Sequence, residues 1–339
     1  MVFNHLIGVR FPVGPPLNNM FKIAIVEKID ESGLKLLEKH PDFEFDVIEN
    51  ISKENLIKEL PKFDGLTLRV ANLDSEILIN CKKLKVISRH GVGYDNIDLN
   101  YIKKNKITLL ITANANAVAV AEHAINLMFS VNRKLDQQIT SVKNGKWMDD
   151  VKGDLEEFHT LVDKRIGIIG LGRIGSRVAK RLRGWECELV YYDNLDFETN
   201  YIKDSGAKYL ELHELLETSD IITIHVPLDR TTKHMISKEE FRLMKKTAIF
   251  INTCRGPVVD EKAMIEALLN NEIFAAGLDV TEIEPIENNN PLLKMENVII
   301  TPHLATKAIE SQKNAYENSL KNASKVLNGN IADSIVKPV

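Results

Sequence analysis

Short apolar runs alternate with segments of helical period along nearly the whole chain. Runs such as Arg165–Ile169 and Ala248–Ile251 carry no polar alternation, so both faces of the strands they predict need cover. Helices between them supply it, and the pattern predicts parallel sheets in an α/β fold. A first series of strands is expected at Lys22–Val26, Phe43–Ile48, Gly65–Leu68, Lys85–Ser88 and Thr108–Ile111, with helices such as Ser52–Leu60 between them. One long helix follows in "AVAVAEHAINLMFSVNRKL", whose apolar residues are spaced to bury a wide face. A second series covers Arg165–Ile169, Glu188–Tyr192, Ile221–Ile224, Ala248–Ile251, Ala275–Leu278 and Val298–Ile300, six strands that make one doubly wound domain. The amphipathic tail after His303 predicts a final helix ending at Gly329.

A length of 339 residues suits about two domains. With 44% apolar and 27% charged residues the composition is that of a soluble globular protein. A formal net charge of −4 argues against nucleic acid or a membrane surface as partner, since either needs a basic face. Cys81, Cys187 and Cys254 are far apart and odd in number, which fits neither a disulfide framework nor a metal site and points to a reducing, cytoplasmic setting. No apolar run has the length of a membrane span. Residues 1–19 are broken by Pro12, Gly14, Pro15 and Pro16 and lack a charged n-region. They are expected to be either a disordered extension or residues ahead of a natural start at Met20.

The stretch "RIGIIGLGRIGSRVAKRL" sets Gly170, Gly172 and Gly175 in G-x-G-x-x-G register between a buried strand and a helix. Gly170 permits the tight turn, Gly172 lets backbone approach a pyrophosphate, and Gly175 lets helix and strand pack closely. The helix N-terminus offers free N–H groups to the phosphates. Asp193 ends the next strand, 23 residues after Gly170, where a carboxylate accepts bonds from ribose hydroxyls and repels a 2′-phosphate. This predicts an NAD site; the competing reading is an ordinary strand-to-helix turn with a surface aspartate.

Three polar residues stand where strands of the second series should end: Arg255, Glu284 and His303. Ligands of open α/β sheets bind outside those ends, so loops 29 and 19 residues apart in sequence can converge there. Such a trio suffices for hydride transfer on a hydroxy acid, with histidine taking the hydroxyl proton, carboxylate orienting it and arginine forking onto the substrate carboxylate. Taken singly, each has a plainer reading: Arg255 and Glu284 as loop charges, His303 as a capping or core histidine. Asp260 and Glu261 read as the start of a helix, and Cys254 as a small packing residue.

These motifs, with "SRHGVGYDNIDL", "ANAVAVAEHAINLM", "HVPLDRTTKHMI", "INTCRGPVVDE", "GLDVTEIEP", "NPLL" and "VIITPHLA", run in order from Met20 to about Gly329. The chain resembles the D-isomer-specific 2-hydroxyacid dehydrogenases, which include phosphoglycerate, glycerate and D-lactate dehydrogenases. The resemblance implies a Rossmann domain, 118–303, inserted into a flavodoxin-like substrate domain, 20–117 plus 304–339. It implies Arg255 on the substrate carboxylate, Glu284 as the acidic partner of His303, and His303 as proton donor or acceptor. Arg173 and Ile174 would lie against the pyrophosphate, Asp193 on the adenosine ribose, Thr253 and Pro227 on the nicotinamide side, and Asp279 near the nicotinamide. Val92 and Gly93 would offer amides to the substrate carboxylate. Arg69 stands where members with anionic substrates carry an extra arginine, with a strand-end surface charge as the equal alternative.

The implied function is NAD-dependent interconversion of a small D-2-hydroxy acid and its 2-keto acid, in a homodimer formed through the helix near Ala119–Leu135. An NAD(H)-binding sensor or corepressor on the same fold is the alternative from a different class. The phosphoglycerate dehydrogenase pattern is left at "LATKAIESQ" after His303, at Cys254 in place of alanine or serine, and in the expected lack of a C-terminal regulatory domain.

Overall fold

The structure, a computed structural model, describes residues 20–27, 35, 43–112, 114–146, 159–194, 200–332 and 335–336. Residues 1–19, expected as an extension, lie outside them. The chain divides into two compact units, Met1–Asn116 with Ile309–Val339, and Ala117–Ala308.

The first unit is built on a parallel sheet of β1 (Phe21–Val26), β2 (Phe43–Ile48), β3 (Gly65–Leu68), β4 (Val86–Arg89) and β5 (Thr108–Ile111). Its order, β2-β1-β3-β4-β5, is the flavodoxin-like one. β4 starts one residue later than the sequence pattern suggests. The helices begin where side-chain oxygens cap them: Ser52 accepts from Asn55 N ahead of Lys53–Glu59, and Asp98 from Tyr101 N ahead of Leu99–Lys104. The chain changes direction across the sheet between β1 and β3, so the segments after Val26 and after Leu68 flank the crevice where open sheets take ligands.

The second unit carries β6 (Arg165–Ile169), β7 (Glu188–Tyr192), β8 (Lys208–Tyr209), β9 (Ile221–Ile224), β10 (Ile249–Asn252), β11 (Ala275–Leu278) and β12 (Val298–Ile300), all parallel. The order β12-β11-β10-β9-β6-β7-β8 is a doubly wound sheet with its switch between β9 and β6. The six expected strands are present, and β8 is a seventh, two exposed residues at the edge. Both faces are covered: Phe250 and Ile222 pack in one apolar cluster, Ile249, Ile251 and Ile221 in the other. Each side chain so buried contributes roughly 1.5–3 kcal/mol.

The long helix expected through Leu135 stops sooner. It spans Ala117–Asn132, and Lys134, in the left-handed region at φ 47°, turns the chain into a second helix, Leu135–Lys143. Ala121, Ala124, Leu127, Met128 and Val131 of the first helix are spent on the core of their own unit. Among the described residues no helix is long and apolar enough to cross a membrane, and no cluster of His, Cys, Asp and Glu is set to hold a metal ion.

Candidate active site

The turn after β6 is built by its glycines. Gly170 sits at φ +89°, and a Cβ there would meet the His225 carbonyl oxygen at 2.8 Å. Gly175 opens the helix Gly175–Leu182, and a Cβ there would lie 2.1 Å from the Gly170 carbonyl oxygen. Gly172 differs: a Cβ would meet nothing within 4 Å, so packing does not demand glycine. What glycine leaves there is bare backbone at a helix N-terminus, the surface a pyrophosphate needs. Arg173 is exposed beside it, its carbonyl held by Arg177, and Ile174 precedes the helix.

Asp193 follows β7 directly and its Oδ2 accepts from Leu171 N at 2.8 Å, tying the end of that strand to the glycine turn. On the other side of the switch, His225 and Thr253 follow β9 and β10 as neighbours. Thr253 Oγ1 and His225 Nδ1 are buried and have no hydrogen-bond partner among the described residues. Burial pushes His225 down to about 3, so the ring stays neutral. Orphaned polar atoms at strand ends, with the open backbone of Gly172, fit a bound dinucleotide. Pro227 is exposed nearby, its carbonyl fixed by Thr232 Oγ1 at 2.6 Å. Sequence reasoning passed over His225, although its place between a buried strand and Pro227 was a signal.

Arg255, Glu284 and His303 follow β10, β11 and β12, three adjacent strands. His303 Nδ1 lies 2.7 Å from Glu284 Oε2. A carboxylate only accepts, so Nδ1 carries the proton and Nε2 is left for a substrate. Glu284 Oε1 is held in turn by Thr281 N at 3.2 Å. His303 itself is in the left-handed region at φ 52°, a conformation that L residues rarely adopt, and its N–H is satisfied by Asp279 O at 2.8 Å. Arg255 Nη1 donates to the Cys254 carbonyl at 2.7 Å. The next residue explains how the arginine loop meets the glutamate loop: a Cβ on Gly256 would be 1.9 Å from the Thr281 carbonyl oxygen.

Asp279 is committed to protein. Its carboxylate accepts from Thr301 Oγ1 at 2.6 Å, Leu304 N at 3.0 Å and Ala305 N at 2.8 Å, with His123 Nε2 at 3.4 Å. Burial works to raise its carboxyl, but bonds from His123, Thr301 and the two amides outweigh it and hold it below the ordinary range. Asp279, expected near the nicotinamide, also scaffolds the loop that carries His303. His123, whose Nε2 lies 2.9 Å from Thr301 Oγ1, joins this network from the long helix. Its signal in sequence was a lone histidine within the long, largely apolar helix. Cys254 is buried, and desolvation pushes its thiol up to about 11, which suits packing and not nucleophilic attack.

Arg69, Val92 and Gly93 belong to the first unit, after β3 and β4. Arg69 is exposed. The Gly93 carbonyl is pinned by Arg89 Nε at 2.6 Å, which fixes the Val92–Gly93 turn.

Residues 125–305 match the NAD binding domain of the D-isomer specific 2-hydroxyacid dehydrogenases. The chain is 35% identical to a glyoxylate reductase of Korarchaeum cryptofilum, over 93% of this chain and 95% of that protein. It is 39% identical to D-3-phosphoglycerate dehydrogenase of Archaeoglobus fulgidus over 86% of its length, but spans only 55% of that longer relative. The crystal structure of an NADPH-dependent glyoxylate/hydroxypyruvate reductase from Sinorhizobium meliloti, in complex with NADP and malonate, aligns with TM-score 0.84 at 26% identity, covering 94% of this chain and 98% of that one. The two parallel-sheet units, the matched nicotinamide dinucleotide domain and relatives named reductases and dehydrogenases agree, and the chain belongs to the D-isomer specific 2-hydroxyacid dehydrogenase family, enzymes acting on CH–OH groups with NAD or NADP.

Proposed function

We propose that the protein reduces a small 2-keto acid to the D-2-hydroxy acid with NADH, and runs the reverse oxidation with NAD. The observation that carries this reading is the His303–Glu284 contact at 2.7 Å on the strand ends next to Arg255. When bound, the nicotinamide dinucleotide supplies or takes up the hydride. As the imidazolium, His303 gives its Nε2 proton to the carbonyl oxygen in reduction, and as the neutral ring it takes that proton up at Nε2 in oxidation. Glu284 fixes the ring through Nδ1 and stabilises the imidazolium. Arg255 forks onto the substrate carboxylate with two charge-assisted bonds. Arg69 and the amides of Val92 and Gly93 are assigned to substrate recognition. Gly170, Gly172, Arg173, Ile174 and Gly175 hold the pyrophosphate, Asp193 the ribose, and Pro227, Thr253 and Asp279 belong to the nicotinamide side.

The test follows NADH absorbance with glyoxylate, hydroxypyruvate, pyruvate and 3-phosphohydroxypyruvate, each repeated with NADPH. Turnover of at least one acid, lost in Arg255→Ala, is the expected result. Measurable NADH binding with no turnover of any acid overturns the reading. Asp193→Asn keeps an oxygen for Leu171 N and removes the charge that opposes a 2′-phosphate. The ratio of kcat/KM with NADPH to that with NADH is expected to rise on the order of tenfold. An unchanged ratio removes Asp193 as the selector.

A second copy of the chain is the proposed partner. Support comes from Leu135, Ile139 and Val142, spaced along one face of the helix Leu135–Lys143 and each more than 40% exposed. In Ile139→Glu/Val142→Glu, light scattering is expected to give half the mass of the unsubstituted protein. Equal masses rule this face out.

A further inference from the structure

Glu27 follows β1 and stands at φ 99°, a backbone conformation that non-glycine residues adopt only under constraint. The constraint is visible. One oxygen of its carboxylate, Oε1, accepts from three successive backbone amides after β3: Arg69 N at 3.0 Å, Val70 N, and Ala71 N at 2.9 Å. Successive amides converging on one point form a nest, the backbone device that holds carboxylates and phosphates. This nest lies at the crevice between β1 and β3 where the first sheet changes winding direction, the ligand position of such sheets. Val70 is 60% exposed, so the nest opens to solvent.

We propose that Glu27 is a specificity-determining residue: by filling the amide nest beside Arg69 with a carboxylate of the protein's own, it turns the site toward 2-keto acids with an uncharged far end. The inference rests on the dehydrogenase reading and on the substrate role given to Arg69. Arginine alone would invite a phosphorylated acid. The carboxylate bound to Arg69's own amide works against that twice. It occupies donors that a phosphate would use, and its charge repels a dianion. Glyoxylate and hydroxypyruvate meet neither obstacle.

The experiment compares kcat/KM for hydroxypyruvate and 3-phosphohydroxypyruvate in the unsubstituted protein, Glu27→Gln and Glu27→Ala. Glu27→Gln keeps an acceptor oxygen for the nest and removes the charge; Glu27→Ala empties the nest. Circular dichroism reports whether each variant folds, and the glutamine variant remains informative if the alanine variant does not. The expected result is a preference for hydroxypyruvate in the unsubstituted protein, with the ratio shifting toward the phosphorylated acid on the order of tenfold in Glu27→Gln. A further shift is expected in Glu27→Ala. A preference for the phosphorylated acid in the unsubstituted protein, or a ratio unmoved by both substitutions, overturns the inference while leaving the dehydrogenase reading in place. Turnover of neither acid, nor of glyoxylate or pyruvate, overturns both.

Discussion

Replacing His303 with asparagine is expected to lower kcat/KM for the keto acid by about 10²–10⁴ with little loss of stability. Asparagine is the variant of choice because position 303 sits at φ 52°, and asparagine tolerates the left-handed region better than alanine. The side chain is 39% exposed, so little packing is lost. What goes is the proton at Nε2, for which an amide has no substitute. Glu284→Gln separates the two roles of the carboxylate. The amide oxygen can still accept from Nδ1 and orient the ring, but it carries no charge to stabilise the imidazolium. Its loss is therefore expected to be smaller than that of His303→Asn, and to appear in kcat more than in KM. Steady-state kinetics on both variants decides. Retention of activity within tenfold in His303→Asn would remove the histidine from the chemistry.

The glycine fingerprint, Asp193 and the polar trio were legible because they recur at the ends of strands whose apolar runs have no other use. β10 shows why: Ile249, Phe250 and Ile251 are buried on alternate faces, and no helix or one-sided strand accommodates them. The edge strand β8 was invisible because Lys208 and Tyr209 are exposed and too few to make a pattern. The helix break at Lys134 escaped for another reason. Apolar periodicity continues through "NRKL" with no glycine or proline, and a lysine gives no warning of a left-handed backbone. The ties among Asp279, Thr301 and His123, and the capture of the 69–71 amides by Glu27, join residues that are 22 to 178 positions apart. No local pattern encodes them. The placement of these residues was readable where the sheet sets it, and unreadable where one loop is held by another.

Gly256→Ala is where fold and chemistry are expected to fail together. The added Cβ would stand 1.9 Å from the Thr281 carbonyl oxygen, 2.1 Å from its carbon and 2.5 Å from Glu282 N. All three are backbone atoms, so no side chain can swing aside, and one of the two loops must move. A cost above about 3 kcal/mol is expected, a large part of the net stability of an ordinary domain. The loop that must yield is anchored: Glu282 N donates to Glu261 Oε2 at 2.8 Å, Glu261 N donates back to Glu282 Oε2 at 3.3 Å, and Thr281 N holds Glu284 Oε1. Displacing it loosens Glu284 from His303, so whatever folds is expected to lose kcat as well. Gly172→Ala makes the opposite case, because its Cβ would meet nothing within 4 Å. Its stability is expected to stay within about 1 kcal/mol while the KM for NADH rises, since the methyl stands where pyrophosphate would approach. Urea denaturation and NADH titration of both variants separate the two glycines. If Gly256→Ala proved as stable as Gly172→Ala, the close approach of the Arg255 loop to the Glu284 loop would not be what aligns this site.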